Sequence, residues 1–233
     1  MHEKLIEIPG VRSVETVGLD LDHTLYPRSE KMDMAIAECL GRKIAGHLGV
    51  TGKQATYMFR DAYSRLESST KAFCELGISD GDKLLDAAVD EADVTQFIEP
   101  SPETVEFLKD LSSRVISMDL ITGSTMASTR EKLKKIGIPL DLFGWIIGAE
   151  DGRKIDGGAY KLWLSKYLCL RPENFLYFGD RPSVDAEVPQ SLGIKAVLVN
   201  NPKIEDGISV VQLPSLFDIK KTTLWQAQNV LSQ

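Results

Sequence analysis

From Ser101 onward the apolar residues of this chain come in short runs, "ISMDLITG", "WIIGAE", "NFLYFGD" and "IKAVLV", separated by stretches with helical spacing. Ser101 can cap a helix that starts at Pro102 and turns Val105, Leu108 and Leu111 inward. "STREKLKKIG" reads as a second helix stopped by Gly137, and Tyr160 to Leu168 as a third. Such alternation requires an α/β fold with a parallel, doubly wound sheet. One earlier segment, Val17 to Leu21, also reads as a short buried strand. Between about Arg28 and Ile98 the pattern is helical throughout. Ile36, Leu40, Ile44 and Leu48 form one stripe, Ala55, Met58, Phe59, Ala62, Tyr63 and Leu66 a second, and Leu84, Leu85, Ala88 and Val89 a third. These stripes read as the core of a helix bundle. The expected organisation is an α/β core domain of residues 1–27 and 99–233 with an inserted all-α domain of residues 28–98.

A chain of 233 residues, 43% hydrophobic and 26% charged, has the balance of an ordinary globular protein. Its net charge of -7 argues against a broad nucleic-acid surface, which needs clustered Lys and Arg. The three cysteines, Cys39, Cys74 and Cys169, are too far apart in sequence for a Cys-x-x-Cys metal knuckle and are read as reduced thiols. The opening "MHEKLIEIPG" lacks the long apolar core of a secretion signal, and no stretch approaches the ~18 apolar residues of a membrane span. A cytoplasmic protein without membrane or nucleic-acid partners is expected. Nothing in these patterns sets an oligomeric state.

In open α/β sheets, ligands bind beyond the carboxyl ends of the strands, near the point where strand order reverses. Three polar clusters fall at such ends: Asp20 with Asp22, then Thr122 with Gly123 and Ser124, then Gly179 with Asp180, followed by Asp185. Residues i and i+2 of an extended chain point to one side, so Asp20 and Asp22 would crowd two negative charges unless a cation or shared proton relieves them. Asp180 would add a third carboxylate. Hard oxygen ligands on open loops suit Mg²⁺, which binds substrate phosphate through one or two carboxylates. Thr122 offers a hydroxyl and Gly123 a backbone N–H at a strand-to-helix turn, where anions are welcome. Either Lys154 or Lys161 could supply a positive point charge. One ionised carboxylate could then attack phosphorus while a second, protonated, donates to the leaving oxygen.

"DLDHTLYP", "ITGS", "KIDGGAY" and "FGDRPSVD" together resemble the four motifs of the haloacid dehalogenase superfamily, in its Mg²⁺-dependent phosphatase branch with a helical cap of the C1 type. The match runs from about Thr16 to Val199. The resemblance implies a nucleophilic Asp20 that forms an aspartyl-phosphate, and an Asp22 that acts as acid and then as base. It further implies that Asp22 holds Mg²⁺ through its backbone carbonyl alongside Asp20 and Asp180, with Asp185 in the outer shell. Thr122, Gly123 and Lys154 would hold the transferring phosphoryl group. Asp22 favours phosphate over carbon–halogen chemistry, because a halide leaving group needs no acid. The implied substrates are small soluble phosphomonoesters, read by cap residues between Arg28 and Ile98.

Some residues depart from the pattern or have no place in it. His23 should point away from the two acids, and Lys161 remains a second candidate for the phosphate-contacting lysine. Arg181 could reach the pocket or cover the surface. Lys31, Arg60, Arg65 and Lys71 are read as solvated, Pro189 should delay or bend the helix after the fourth motif, and Asp119 has no assigned role inside its apolar strand. A phosphomutase of similar cap type is the closest enzymatic alternative. A phospho-accepting switch forms a second class, but it needs no helical insertion and uses an acceptor Asp separate from its acidic pair; a binding protein with little turnover is a third reading, which the intact Asp22 argues against.

Overall fold

The computed structural model describes residues 5–66, 69–200 and 210–227; Met1–Lys4 of the N-terminal stretch read above lie outside the described residues. The chain forms two compact units, Arg28–Ile98 on the one hand and Met1–Pro27 with Glu99–Gln233 on the other.

The smaller unit is helical: α1 (Glu30–Leu48), α2 (Gly52–Leu66), α3 (Ser69–Glu75) and α4 (Gly81–Glu91). Ser29 caps α1 by accepting from the Met32 N–H, and Gly49 ends it in a left-handed conformation that a side chain would strain. Leu40, Ile44, Ala55, Ala62, Phe73 and Ala88 are buried. The expected stripes are not core throughout, however. Met58 and Tyr63 are 38% and 48% exposed. Ile36, Leu40, Ile44, Phe59, Tyr63 and Leu85 line a cavity of about 260 Å³, with Arg28 and Arg60 among its polar lining. Apolar periodicity marks one face of a helix, but only packing decides whether that face closes on itself.

The larger unit carries a six-stranded, all-parallel sheet: β1 (Thr16–Leu19), β2 (Ser117–Ile121), β3 (Ile146–Ile147), β4 (Phe175–Gly179), β5 (Lys195–Val199) and β6 (Val211–Leu213). Their order is β3-β2-β1-β4-β5-β6. The sequence pattern ended at Val199, so β6 is an addition: it is short, has one buried residue and, among the described residues, pairs only with β5. Along the chain, α5 (Pro102–Ser112) and α6 (Met126–Ile136) flank β2, α7 (Gly158–Ser165) precedes β4, α8 (Val188–Ser191) precedes β5, and α9 (Thr223–Ala227) follows β6. Ser101 caps α5 with Pro102 at its first turn, and Gly137 (φ 93°) ends α6, as read from the sequence. Ile121, Tyr160, Trp163, Phe175 and Tyr177 form one contiguous core cluster. The helix after β4 does start late: Pro182–Glu187 winds as a π-helix, and α8 places Pro189 in its first turn, where the missing N–H costs no hydrogen bond. Among the described residues, no helix is long and apolar enough to cross a membrane.

Asp119 now has a physical account. Its carboxylate, fully buried in β2, accepts from Ser117 Oγ (2.8 Å), the Trp145 N–H (2.9 Å), Trp163 Nε1 (2.7 Å) and Tyr167 OH (2.8 Å). It is a knot that ties β2 to the segment before β3 and to α7. Burial pushes its pKa up, while those donors pull it down. Asp119→Ala would orphan several buried donors at once, each worth about 1–3 kcal/mol when left unpaired. We therefore expect this substitution to lower the unfolding free energy by about 3 kcal/mol, measured by urea titration, and a change within the error of the titration would refute the structural assignment.

Candidate active site

The strand order reverses between β1 and β4, which pair directly with Leu19 opposite Phe178. Asp20 follows β1 and Asp180 follows β4, so both acids leave the sheet at adjacent carboxyl ends. The Asp20 N–H donates to the Phe178 carbonyl, which extends the ladder by one residue and fixes where the side chain departs. Carboxylate oxygens of Asp20, Asp180 and Asp185 lie within 4.8 Å of one another. Asp185 comes close because Gly179 has no side chain: a Cβ there would stand 2.5 Å from the Asp185 Cβ.

Lys154 brings a positive charge to two members of this cluster. Its buried Nζ donates to Asp20 Oδ1 (2.6 Å), Asp185 Oδ1 (2.7 Å) and Tyr177 OH (3.1 Å). Tyr177 OH in turn donates a hydrogen bond to the Ile121 carbonyl, and Tyr160 OH donates to the Val184 carbonyl beside Asp185. Lys161, the alternative lysine, is exposed on α7. Arg181 is half exposed, with Nε 3.5 Å from Asp185 Oδ2, and its backbone N–H donates to the same oxygen at 3.1 Å.

Asp22 sits in a different environment. β1 ends at Leu19, and the next residues turn, with the Leu25 N–H donating to the Leu21 carbonyl and His23 at φ 61°. The extended geometry that would crowd the two acids on one side therefore stops before Asp22. Its Oδ1 accepts from Lys132 Nζ at 2.6 Å and from Tyr26 OH, and its Oδ2 accepts from Ser124 Oγ at 2.7 Å. Each acid has its own lysine. Thr122 is buried at the end of β2, the strand beside β1, and its Oγ1 accepts from the Ser124 N–H at 3.1 Å. Open space surrounds Gly123, where an added Cβ would find no atom within 4 Å.

Lys132 and Tyr26 were not singled out in the sequence, and Ser124 was named in the cluster with Thr122 and Gly123 but given no role. Ser124 and Tyr26 lie inside the quoted motifs, but Lys132 lies eight residues beyond Ser124 on α6. The available signal was phase: Lys132 falls on the same buried face as Thr129, Leu133 and Ile136, a charged residue within an apolar stripe.

The electrostatics divide the acids. Burial, reinforced by Asp185 and opposed by Lys154, pushes the Asp20 carboxyl up to about 7. Burial and Asp185 push Asp180 up to about 6. Burial would raise Asp22 too, but Lys132 and hydrogen bonds from Lys132, Tyr26 and Ser124 bring it down to about 2. Asp185 is likewise held below the usual carboxylate range against its burial, by Lys154 and Arg181. This arrangement leaves Asp22 ionised and Asp20 the readier to take a proton, the opposite of the charge states expected for attack. Lys154 bonds Asp20 and Asp185, and Arg181 lies beside Asp185, but Asp180 adds a third, partly buried carboxylate, and the oxygens of the three are the hard donors that a small divalent cation takes.

Comparison with known proteins decides the family. The sequence model of the haloacid dehalogenase-like hydrolases matches residues 19–199. The chain belongs to that family, and it is a hydrolase. Two relatives are both described as glyceraldehyde 3-phosphate phosphatase. The one from Methanopyrus kandleri is 23% identical over 83% of this chain and 87% of its own, and the one from Methanocaldococcus jannaschii is 25% identical over 83% and 88%. Among solved structures, a haloacid dehalogenase-family phosphatase from Thermococcus onnurineus superposes with a TM-score of 0.60 at 21% identity, covering 89% of this chain and 97% of its own. A 2-haloacid dehalogenase from Pseudomonas syringae pv. Tomato DC3000 gives 0.54 at 20%, covering 89% and 97%. The fold therefore serves both carbon–halogen and phosphate substrates, and the choice between them rests on the site.

The raised pKa values set the pH response of the protein in EDTA. A carboxyl whose pKa is higher folded than unfolded stabilises the fold at low pH, and that contribution is lost as pH rises through the folded value. Asp20 and Asp180 should therefore make the urea midpoint fall as pH goes from about 5 to 8. Asp20→Asn should flatten the curve. A midpoint that rises across this range in EDTA would contradict the arrangement.

Proposed function

We propose that this hydrolase is a Mg²⁺-dependent phosphomonoesterase acting on small soluble phosphate esters through an aspartyl-phosphate on Asp20. The observation that carries the reading is the 2.6 Å contact between Lys154 Nζ and Asp20 Oδ1 inside the cluster with Asp180 and Asp185. A carbon–halogen hydrolase has no use for this metal-ligand geometry or for a second, separately held acid. Bound among Asp20, Asp180 and Asp185, with the Asp22 carbonyl as a further ligand, Mg²⁺ would favour the ionised carboxylates and offset charge on the phosphoryl oxygens.

The residues of the chain then divide the work. An ionised Asp20 oxygen attacks phosphorus, the ester P–O bond breaks, and the phosphoryl group moves to Asp20. The Thr122 hydroxyl and the Gly123 N–H bind the phosphoryl oxygens, while Lys154 offsets their charge. A phosphate dianion brought beside Asp22 raises that carboxyl's pKa, so substrate binding helps load the proton that Asp22 gives to the leaving oxygen. Left as a carboxylate, Asp22 next takes a proton from water, whose oxygen attacks the phosphoaspartate and frees phosphate. Asp185 holds Lys154 and the Arg181 turn in place. We assign the helical unit Arg28–Ile98 the role of cap. The two phosphatase relatives make triose phosphates the first compounds to try.

Phosphate release from p-nitrophenyl phosphate and a panel including glyceraldehyde 3-phosphate should require Mg²⁺ and stop in EDTA. Asp20→Asn and Asp180→Ala should each reduce kcat by about 1,000-fold or more with the fold intact by circular dichroism. Normal turnover by a folded Asp20→Asn protein would sink the assignment. A phosphomutase would instead move the label of a ³²P-sugar phosphate to another hydroxyl with little free phosphate.

A further inference from the structure

Lys132 is buried to within 2% of its side-chain surface, yet nothing in the chemistry so far uses it. Its Nζ reaches Asp22 Oδ1 at 2.6 Å and Ser124 Oγ at 2.7 Å, and Ser124 Oγ in turn donates to Asp22 Oδ2 at 2.7 Å. The three groups close a ring that engages both oxygens of one carboxylate. Tyr26 adds a third donor, on Oδ1. These donors come from three segments: the turn after β1, the turn after β2, and the second helical turn of α6.

A lysine is a poor choice for mere packing on this face. Its neighbours in phase, Leu133 and Ile136, are apolar, and burying an ammonium requires a partner that offsets its lost hydration. That partner is Asp22, whose side chain remains 31% exposed. The carboxylate is thus clamped from the protein side and open on the other. Lys154 cannot do this work, since its three hydrogen bonds go to Asp20, Asp185 and Tyr177.

We propose that Lys132, working with Ser124, is a positioning residue that fixes the Asp22 carboxyl for proton transfer to the leaving oxygen and from water. The inference rests on the phosphoaspartate reading above. It makes acid–base catalysis in this chain depend on a second buried lysine, separate from the phosphate-contacting Lys154.

The two half-reactions separate this role from a structural one. With p-nitrophenyl phosphate the leaving group needs little protonation, so Lys132→Met should still give a rapid burst of nitrophenol. Turnover afterwards should fall by about 100-fold, the lower range for loss of general acid–base catalysis, and phosphoenzyme should accumulate in acid quench. With glycerol phosphate, formation of phosphoenzyme should itself slow by about 100-fold, while KM changes little. Ser124→Ala should reproduce the pattern more weakly, and it carries the test if Lys132→Met does not fold. Lys132→Arg, which keeps the charge and donors, should recover part of the lost turnover. Equal losses in both half-reactions for both substrates, or unchanged kinetics in a folded Lys132→Met protein, would overturn the positioning role alone. Absence of phosphoenzyme in the wild-type protein, with Asp20→Asn still active, would overturn the parent reading and this inference with it.

Discussion

The larger unit depends on one buried cation. Lys154 stands between Asp20, which follows β1, and Asp185, which lies beyond β4, and its ammonium is what makes two interior carboxylates tolerable. Removing one partner of such a buried group typically costs about 3–5 kcal/mol, because an uncompensated charge is left behind. The surroundings are built to hold the ammonium still: Tyr177 accepts from it, and the Ile121 carbonyl accepts from Tyr177. Because β1 lies between β2 and β4 in the sheet, one lysine connects three strand ends that are far apart in sequence.

The second consequence is a separation of charges that two neighbouring acids would not show by themselves. Asp20 and Asp22 are one residue apart, but the chain turns between them and each finds a different lysine. Asp22 is accordingly held ionised, while Asp20, sharing Lys154 with Asp185, is pushed toward its protonated form. Pairs of acids whose surroundings drive their pKa values apart are what two-step acid–base chemistry requires. Positive charge delivered to the Asp20 cluster would lower the Asp20 pKa, narrowing this contrast and moving the pair toward the charge states that attack requires.

Much of this site was legible in the chain. The motifs named Asp20, Asp22, Thr122, Lys154, Asp180 and Asp185, and the structure brings Asp20, Lys154, Asp180 and Asp185 together with Thr122 on the adjoining strand. Strands β1, β2, β4 and β5 were visible because buried parallel strands are nearly continuous apolar runs. β6 was not, since three residues with one buried side chain carry no periodic signal. Lys132 escaped because a lysine on an amphipathic helix ordinarily faces water. Asp119 looked anomalous because its donors, Trp163 and Tyr167, lie more than forty residues away. Met58 and Tyr63 looked like core because spacing records which residues share a face, without recording what meets that face.

The sequence by itself determined the alternation of strand and helix, the helical insertion after the first strand, and which acidic and hydroxyl residues stand at strand ends. These follow from local rules: the period of apolar residues, capping chemistry, and the polar punctuation that stops a strand. The tertiary structure alone decided which lysine serves which acid, that the two aspartates of the first motif part company, and that a buried carboxylate ties β2 to α7. Those choices depend on contacts between residues up to 134 positions apart, such as Asp20 and Lys154. No local pattern encodes them, because the energy of a buried charge is set by what the fold places beside it.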